Sequence, residues 1–143
     1  MAQTAGSNIH ATAVALGPGR GVLILGPSGS GKSSLALRLM ALGAQLVADD
    51  RVELSVEGAG LLARAPEVLR DRIEARGAGI LCAEALDGAQ LVLAVDMGRE
   101  EVERLPPERE ITFLGVTLPL VLRLQHGHLE AVILQWLKGG RAA

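Results

Sequence analysis

The chain has 143 residues, a hydrophobic fraction of 49 % and a net charge of -2, which suits one domain with a real core and gives no basic surface for a phosphodiester backbone. With one Phe, one Trp and no Tyr, the core is aliphatic, and an aromatic platform for stacking single-stranded bases is nearly excluded. The single cysteine, Cys82, excludes an intramolecular disulfide and a multi-cysteine metal site, while the absence of a span-length apolar run or a signal-peptide pattern in MAQTAGSNIHAT makes a cytoplasmic protein, off the membrane, the expectation.

Residues 1–8 are small and polar and are expected to form a flexible N-terminus, with a single domain over 9–143. Ile9 to Leu16 reads as a strand. A Gly-Pro-Gly turn at Gly17 to Gly19 follows, then the apolar strand Gly21 to Leu25, so an antiparallel hairpin is predicted. His10 stands at its start; a lone strand histidine is most often structural. Directly after the hairpin, Gly26, Pro27, Ser28, Gly29, Ser30, Gly31, Lys32 and Ser33 spell GPSGSGKS, a complete G-x-x-x-x-G-K-[ST] loop between a strand and a helix. Gly29 and Gly31 free the backbone to turn successive N–H groups onto phosphate oxygens, and the helix adds its positive end. Lys32 can reach the β/γ-phosphates and the Ser33 hydroxyl can join a Mg2+ shell, so a nucleoside triphosphate or similar polyphosphate is the expected ligand.

The helix after the loop is predicted to bury Leu35, Ala36, Leu39, Met40 and Leu42 and to end at Gly43. Leu46 and Val47 then form a brief strand that runs into Asp49 and Asp50, before Val52, Leu54 and Val56 alternate. Two acids at the end of an apolar strand are either turn formers or the carboxylates that a phosphate loop needs for metal or proton work. A short strand is expected at LLARAP. Pro66 to Ile80 opens like a helix and carries Glu74 and Arg76 before Gly77 and Gly79, in the manner of a helix C-terminus. Gln90 to Asp96 is the strongest remaining strand, with Asp96 a formal rival for a metal-side carboxylate, read here as a strand-end residue. The segment MGREEVERLPPERE is predicted to be exposed and irregular. ITFLGVTLPLVLRL gives two strands or a bent one, with Pro119 at an edge or bulge. The closing helix, His128 to Lys138, places Leu129, Val132, Ile133, Trp136 and Leu137 on one face.

Taken together, a histidine-bearing strand before GPSGSGKS, then LVADDRVEL, then IEARGAGIL resembles the catalytic domain of the bacterial HPr kinase/phosphorylase family. The likeness is close over residues 9–82 and loose beyond. The acid pair, beginning 17 residues past Lys32, and Glu74-x-Arg76-Gly77-x-Gly79 are its selective parts, since the phosphate loop alone is shared by many families. The resemblance implies an α/β fold with a mixed sheet around the loop and flanking helices, related to the phosphoenolpyruvate carboxykinase type. It implies a short form holding the catalytic domain only, ATP and Mg2+ as cofactors, and transfer of phosphate to a serine of HPr or an HPr-like phosphocarrier, with the reverse phosphorylase reaction as an additional activity. By the same resemblance Gly26 to Ser33 would hold the phosphates, and Ser33 and Glu74 the metal. Asp49 would be the base, with Asp50 second; His10 would orient or charge that acid, and Arg76 would shape the site. Family members assemble as hexamers, so a homo-oligomer is implied. The family's V-P-V-x-x-G-R-N stretch has its nearest counterpart at Leu118 to Arg123, without the Gly or Asn, which makes Arg123 the candidate catalytic arginine and equally a plain strand-end residue. The C-terminal helices that grip the target in longer members are nearly gone. Two rivals stand beside the kinase: a non-catalytic nucleotide sensor acting with a regulatory partner, and a small-metabolite kinase.

Overall fold

A computed structural model of the chain describes residues 7–125 and 127–143. In chain order its elements are β1 (Ser7–Ile9), β2 (Thr12–Ala15), β3 (Gly21–Leu25), α1 (Lys32–Ala41), β4 (Gln45–Ala48), β5 (Val52–Glu57), β6 (Gly60–Arg64), β7 (Arg72–Ala75), β8 (Gly79–Cys82), β9 (Ala89–Glu101), β10 (Glu110–Phe113), β11 (Val116–Leu124) and α2 (Leu129–Gly139). The expected α/β architecture is present. A mixed sheet runs β1-β5-β6-β9-β3-β2-β4, with β11 joining β9 and β10 joining β11, while β7 and β8 pair apart from it.

The long strand β9 organises the sheet. It pairs in parallel with β3 on one edge; on the other it pairs antiparallel with β6 near its start and parallel with β11 further on. Alternation then divides the core in two. Val22, Ile24, Leu93 and Val95 face α1 and α2, meeting Leu35, Leu39, Ile133 and Leu137. Leu23, Leu54, Leu61, Leu91 and Leu120 build the cluster on the opposite face, where the sheet packs on itself. A register shift between Gly21 and Val22, opposite Leu91 and Leu93, is what sends those two leucines to different faces. Among the described residues no helix is long and apolar enough to cross a membrane.

Several expectations change. For the loose N-terminus, residues 1–6 lie outside the described residues, but Ser7 and Asn8 are paired with Leu54 and Glu53 in β1. The strand expected over 9–16 is interrupted at His10, so β1 and β2 pair with different partners, β5 and β3/β4. On α1, Leu42 lies past the helix end and is exposed; on α2, Leu134 is buried in place of Val132. The segment after Asp96 is not wholly exposed, because β9 continues to Glu101 with Met97 and Glu101 buried, and Asp96 is therefore interior to its strand. Pro119 sits where β11 stops pairing with β10 and starts pairing with β9, a position that spares its missing N–H.

The largest correction is at 66–80, where no α-helix forms. Pro66 does open a turn, but only the 3-10 turn Glu67–Leu69; Asp71 then takes φ 62 and the chain becomes the β7–β8 hairpin. The sequence explains this on inspection of its period. In Arg72-Ile73-Glu74-Ala75 the one large apolar residue is flanked by charges at spacing two, a strand pattern, and Gly77 and Gly79 make the reversal. Ile73 is fully buried in the helix-side cluster, which contributes on the order of 2 kcal/mol and anchors the hairpin to the body. Asp71 secures its base, accepting from Ala85 N–H at 2.8 Å and, through its carbonyl, from Ala83 N–H at 3.0 Å.

Glu101 closes β9. Its carboxylate accepts from Arg109 Nε and Nη2 at 3.0 and 2.9 Å and from the N–H groups of Val102 and Glu103. These bonds, Arg109 foremost, hold its carboxyl below the usual range against the opposing effect of burial. A depressed acid adds stability above its unfolded-state value and loses it as pH falls through the folded one. Glu101→Gln is therefore expected to lower Tm at neutral pH, and its deficit against the parent should narrow as the solution is taken below the ordinary Glu range; thermal melts across pH check this.

Candidate functional site

The phosphate loop leaves β3 at Leu25 and turns back along the sheet into α1. Gly31 caps the helix in the left-handed region, φ 97, and Gly29 has φ 84, conformations that L side chains rarely adopt. No acidic residue stands in the first turn of α1, so its positive end is left for an anion. Behind the loop, β9 packs closely: a Cβ on Gly98 would stand 3.0 Å from Pro27 Cδ, and Asp96 accepts Gly98 N–H at 2.8 Å. Asp96 is also paired with Arg99, so both its oxygens are engaged, and it lines neither of the clefts described below. Lys32 is buried, and its ammonium donates to the carbonyls of Gly26 at 2.8 Å and Pro27 at 3.1 Å. Burial pushes its pKa below 10.5, with Asp50 and Asp49 pulling the other way.

Strand β4 lies beside β2, and this adjacency delivers the acid pair to the loop. The two acids have different surroundings. Asp49 is buried and takes three donors: Thr12 Oγ1 at 2.9 Å and Ser33 Oγ at 2.7 Å on Oδ1, and Glu74 N–H at 2.9 Å on Oδ2. It thereby ties together the strand before the loop, the loop serine and the hairpin. Asp50 has φ 70, a conformation Asp tolerates better than most residues, and its side chain is 62 % exposed. Its Oδ1 lies 3.3 Å from His10 Nδ1.

Two clefts open on this arrangement. One, of about 270 Å³, runs along the phosphate loop and is lined among others by His10, Gly29, Lys32, Asp50, Glu74 and Arg76. The Arg76 guanidinium reaches over the loop, 3.5 Å from where a Gly29 Cβ would be. The second, of about 220 Å³, shares Ser33, Asp50 and Glu74 with the first and adds Asp49, Leu69, Arg72, Ile73 and Ile80. The structure thus brings His10, the loop, Asp49, Asp50, Glu74 and Arg76 together. Arg123 is not brought in: it is exposed on β11, opposite Glu100, and lines neither cleft. Thr12 and Arg72 were not foreseen. A hydroxyl among the apolar residues of a fully buried strand was the available signal for Thr12; Arg72 gave none while its segment read as a helix.

Comparison with known proteins agrees with this geometry. Residues 2–133 match the family model described as HPr Serine kinase C-terminal domain. An HPr kinase/phosphorylase from Caldicellulosiruptor bescii is 39 % identical over 131 residues, covering 82 % of this chain and 42 % of that protein. One from Azoarcus sp. is 41 % identical over 132 residues, with the same 82 % and 42 % coverage. Among solved structures, the Hpr(Ser) kinase/phosphatase from Coxiella burnetii aligns with a TM-score of 0.76 at 26 % identity, covering 92 % of this chain and 88 % of that one. The chain spans less than half the length of the curated relatives it matches.

Proposed function

The chain belongs to the HPr serine kinase C-terminal domain family, and from that premise we propose that it is an ATP-dependent protein-serine kinase acting on HPr or an HPr-like phosphocarrier. The observation that carries this reading is that the phosphate-loop cleft and a second cleft meet at shared residues, Ser33, Asp50 and Glu74, so that donor and acceptor can face each other across the acids. A polyphosphate enters the first cleft against the loop amides and the start of α1. Lys32 then exchanges the Gly26 and Pro27 carbonyls for phosphate oxygens, which also compensates the charge that burial disfavours.

The donor set fits Mg2+. Ser33 spends its proton on Asp49, which leaves the hydroxyl lone pairs free for a hard cation, and Glu74 supplies a carboxylate beside it. Bound there, Mg2+ would supply neutralisation of phosphate charge. The acceptor serine Oγ bonds to the γ-phosphorus as the bond to the β–γ bridging oxygen breaks, and the serine proton passes to a carboxylate. Asp50 suits that task better than Asp49: it is open to both clefts and steadied by His10, whereas Asp49 already accepts three hydrogen bonds. This reverses the order of preference that the resemblance implies. Asp49 instead holds Ser33 and the Glu74 backbone in place.

A nucleotide sensor is the second reading, favoured by one observation: Arg123, the candidate that the resemblance offers for the family's catalytic arginine and equally a plain strand-end residue, stands outside both clefts. Incubation with labelled Mg2+-ATP and HPr-type carriers separates the two. Label on a carrier serine is the expected result; nucleotide binding with no carrier ever labelled would establish the sensor.

A further inference from the structure

Among the described residues one buried side-chain oxygen has no hydrogen-bond partner: Ser30 Oγ, inside the phosphate loop. The chemistry proposed above gives it no task. A buried hydroxyl left unpaired destabilises the state that contains it, so its presence at this position needs a cause. The side chain is turned inward against the start of the loop. A Cβ on Gly26 would stand 2.5 Å from Ser30 Oγ, with Met97 and Gly98 of β9 closing the same spot at 3.1 and 3.2 Å. The N–H groups nearby are already committed: Gly98 N–H donates to Asp96 at 2.8 Å, and the N–H of Ser30 itself to the Pro27 carbonyl at 3.0 Å.

The loop carbonyls supply the cause. In the ligand-free chain the Lys32 ammonium donates to Gly26 and Pro27. Once it turns to a phosphate, the two carbonyls fare differently. Pro27 keeps the Ser30 N–H, whereas Gly26 keeps no donor among the described residues. An unpaired hydroxyl in one state thus faces an unpaired carbonyl in the other, and both belong to the same few residues. We infer that Ser30 is a positioning residue for nucleotide binding, whose hydroxyl turns to the Gly26 carbonyl as Lys32 leaves it. The inference rests on the reading that a polyphosphate draws Lys32 from these carbonyls. A hydroxyl suits the role because its proton rotates without moving the backbone. The free loop carries the unpaired group and the occupied loop does not, so the exchange favours the occupied state.

The test uses the whole chain with Ser30→Ala, alone and together with Lys32→Ala. Titrated with Mg2+-ATP, the single variant should bind about 3- to 10-fold more weakly than the parent, the worth of one hydrogen bond. Without nucleotide its Tm should equal or exceed that of the parent, since in that state the hydroxyl is unpaired. The Lys32→Ala background separates this role from simple packing. There the Gly26 carbonyl has lost the ammonium from the outset and the hydroxyl takes it, so Ser30→Ala should now lower the ligand-free Tm. A packing role would move Tm in the same direction in both backgrounds, and that result overturns the inference. Equal nucleotide affinity in parent and Ser30→Ala overturns it as well. A parent that binds no Mg2+-ATP overturns the polyphosphate reading instead, and the change of sign in ligand-free Tm would still support the pairing of Ser30 with Gly26.

Discussion

Lys32→Ala is expected to lower phosphoryl transfer by roughly 10²- to 10³-fold or more while leaving the fold intact. Two opposite consequences of burial lie behind this. In the ligand-free chain the ammonium is buried, and desolvation outweighs the attraction of Asp50 and Asp49, so its pKa falls below 10.5. A base whose folded value is lowered binds its proton less tightly in the folded state than in the unfolded one. Its charge therefore costs stability at neutral pH, and the cost fades as pH rises through the folded value towards 10.5. Removing it relieves that cost but also takes the donor from the Gly26 and Pro27 carbonyls, so Tm at neutral pH should change little, and the gain on the alkaline side should flatten. With Mg2+-ATP the sign reverses, because the phosphate charge is what the ammonium lacks. The parent should gain Tm on adding nucleotide, and the alanine variant should gain far less. Melts with and without nucleotide, read beside carrier labelling, check both halves. A large Tm loss in the variant without ligand would contradict the account.

The site was more legible in the chain than the fold was. GPSGSGKS carries its own mechanism, since the spacing of glycines, lysine and serine is dictated by the phosphate geometry, and the flanking strand and helix lie where that geometry needs them. Asp49 and Asp50 are adjacent in sequence, so any fold that delivers one delivers the other. Their division of labour was not legible, because it depends on Thr12, which is 37 residues away and meets Asp49 only when β2 and β4 pair. The hairpin was misread for a local reason. Pro66 and Glu67 open a helical turn that does form, and Arg70, in extended backbone, ends it before Asp71 takes φ 62. Propensity gives no hint of that reversal; the pairing of Ile73 with the α1 face decides it. Arg123 shows the converse. A loosely matching stretch carried a role across by order along the chain, but β11 pairs with the far edge of β9, and the side chain ends up outside both clefts.

Asp50→Asn and Asp49→Asn are expected to fail differently, although the residues are neighbours. Asparagine at 50 keeps the size and tolerates φ 70, so the backbone has no reason to move. On the proposed mechanism, what it loses is the capacity to take the serine proton. The kcat for carrier phosphorylation should fall roughly 10²- to 10⁴-fold, with KM for ATP and Tm close to the parent. His10 makes the assignment sharper, because His10→Ala removes the 3.3 Å partner of Asp50 and should lower kcat less than Asp50→Asn does. At 49 the substitution strikes a buried acceptor of three hydrogen bonds. An amide keeps one oxygen but turns an NH2 group towards a donor, the Glu74 N–H or the Thr12 and Ser33 hydroxyls. A buried donor facing a donor costs about 1–3 kcal/mol. Asp49→Asn should therefore lower Tm and, by releasing Ser33 and the hairpin, raise KM for Mg2+-ATP, with a smaller drop in kcat than at 50. Thermal melts and a split of kcat from KM on the two variants measure the difference. If Asp49→Asn instead keeps its Tm and nucleotide KM and loses only kcat, then Asp49 is the base, and the three hydrogen bonds hold it for that task.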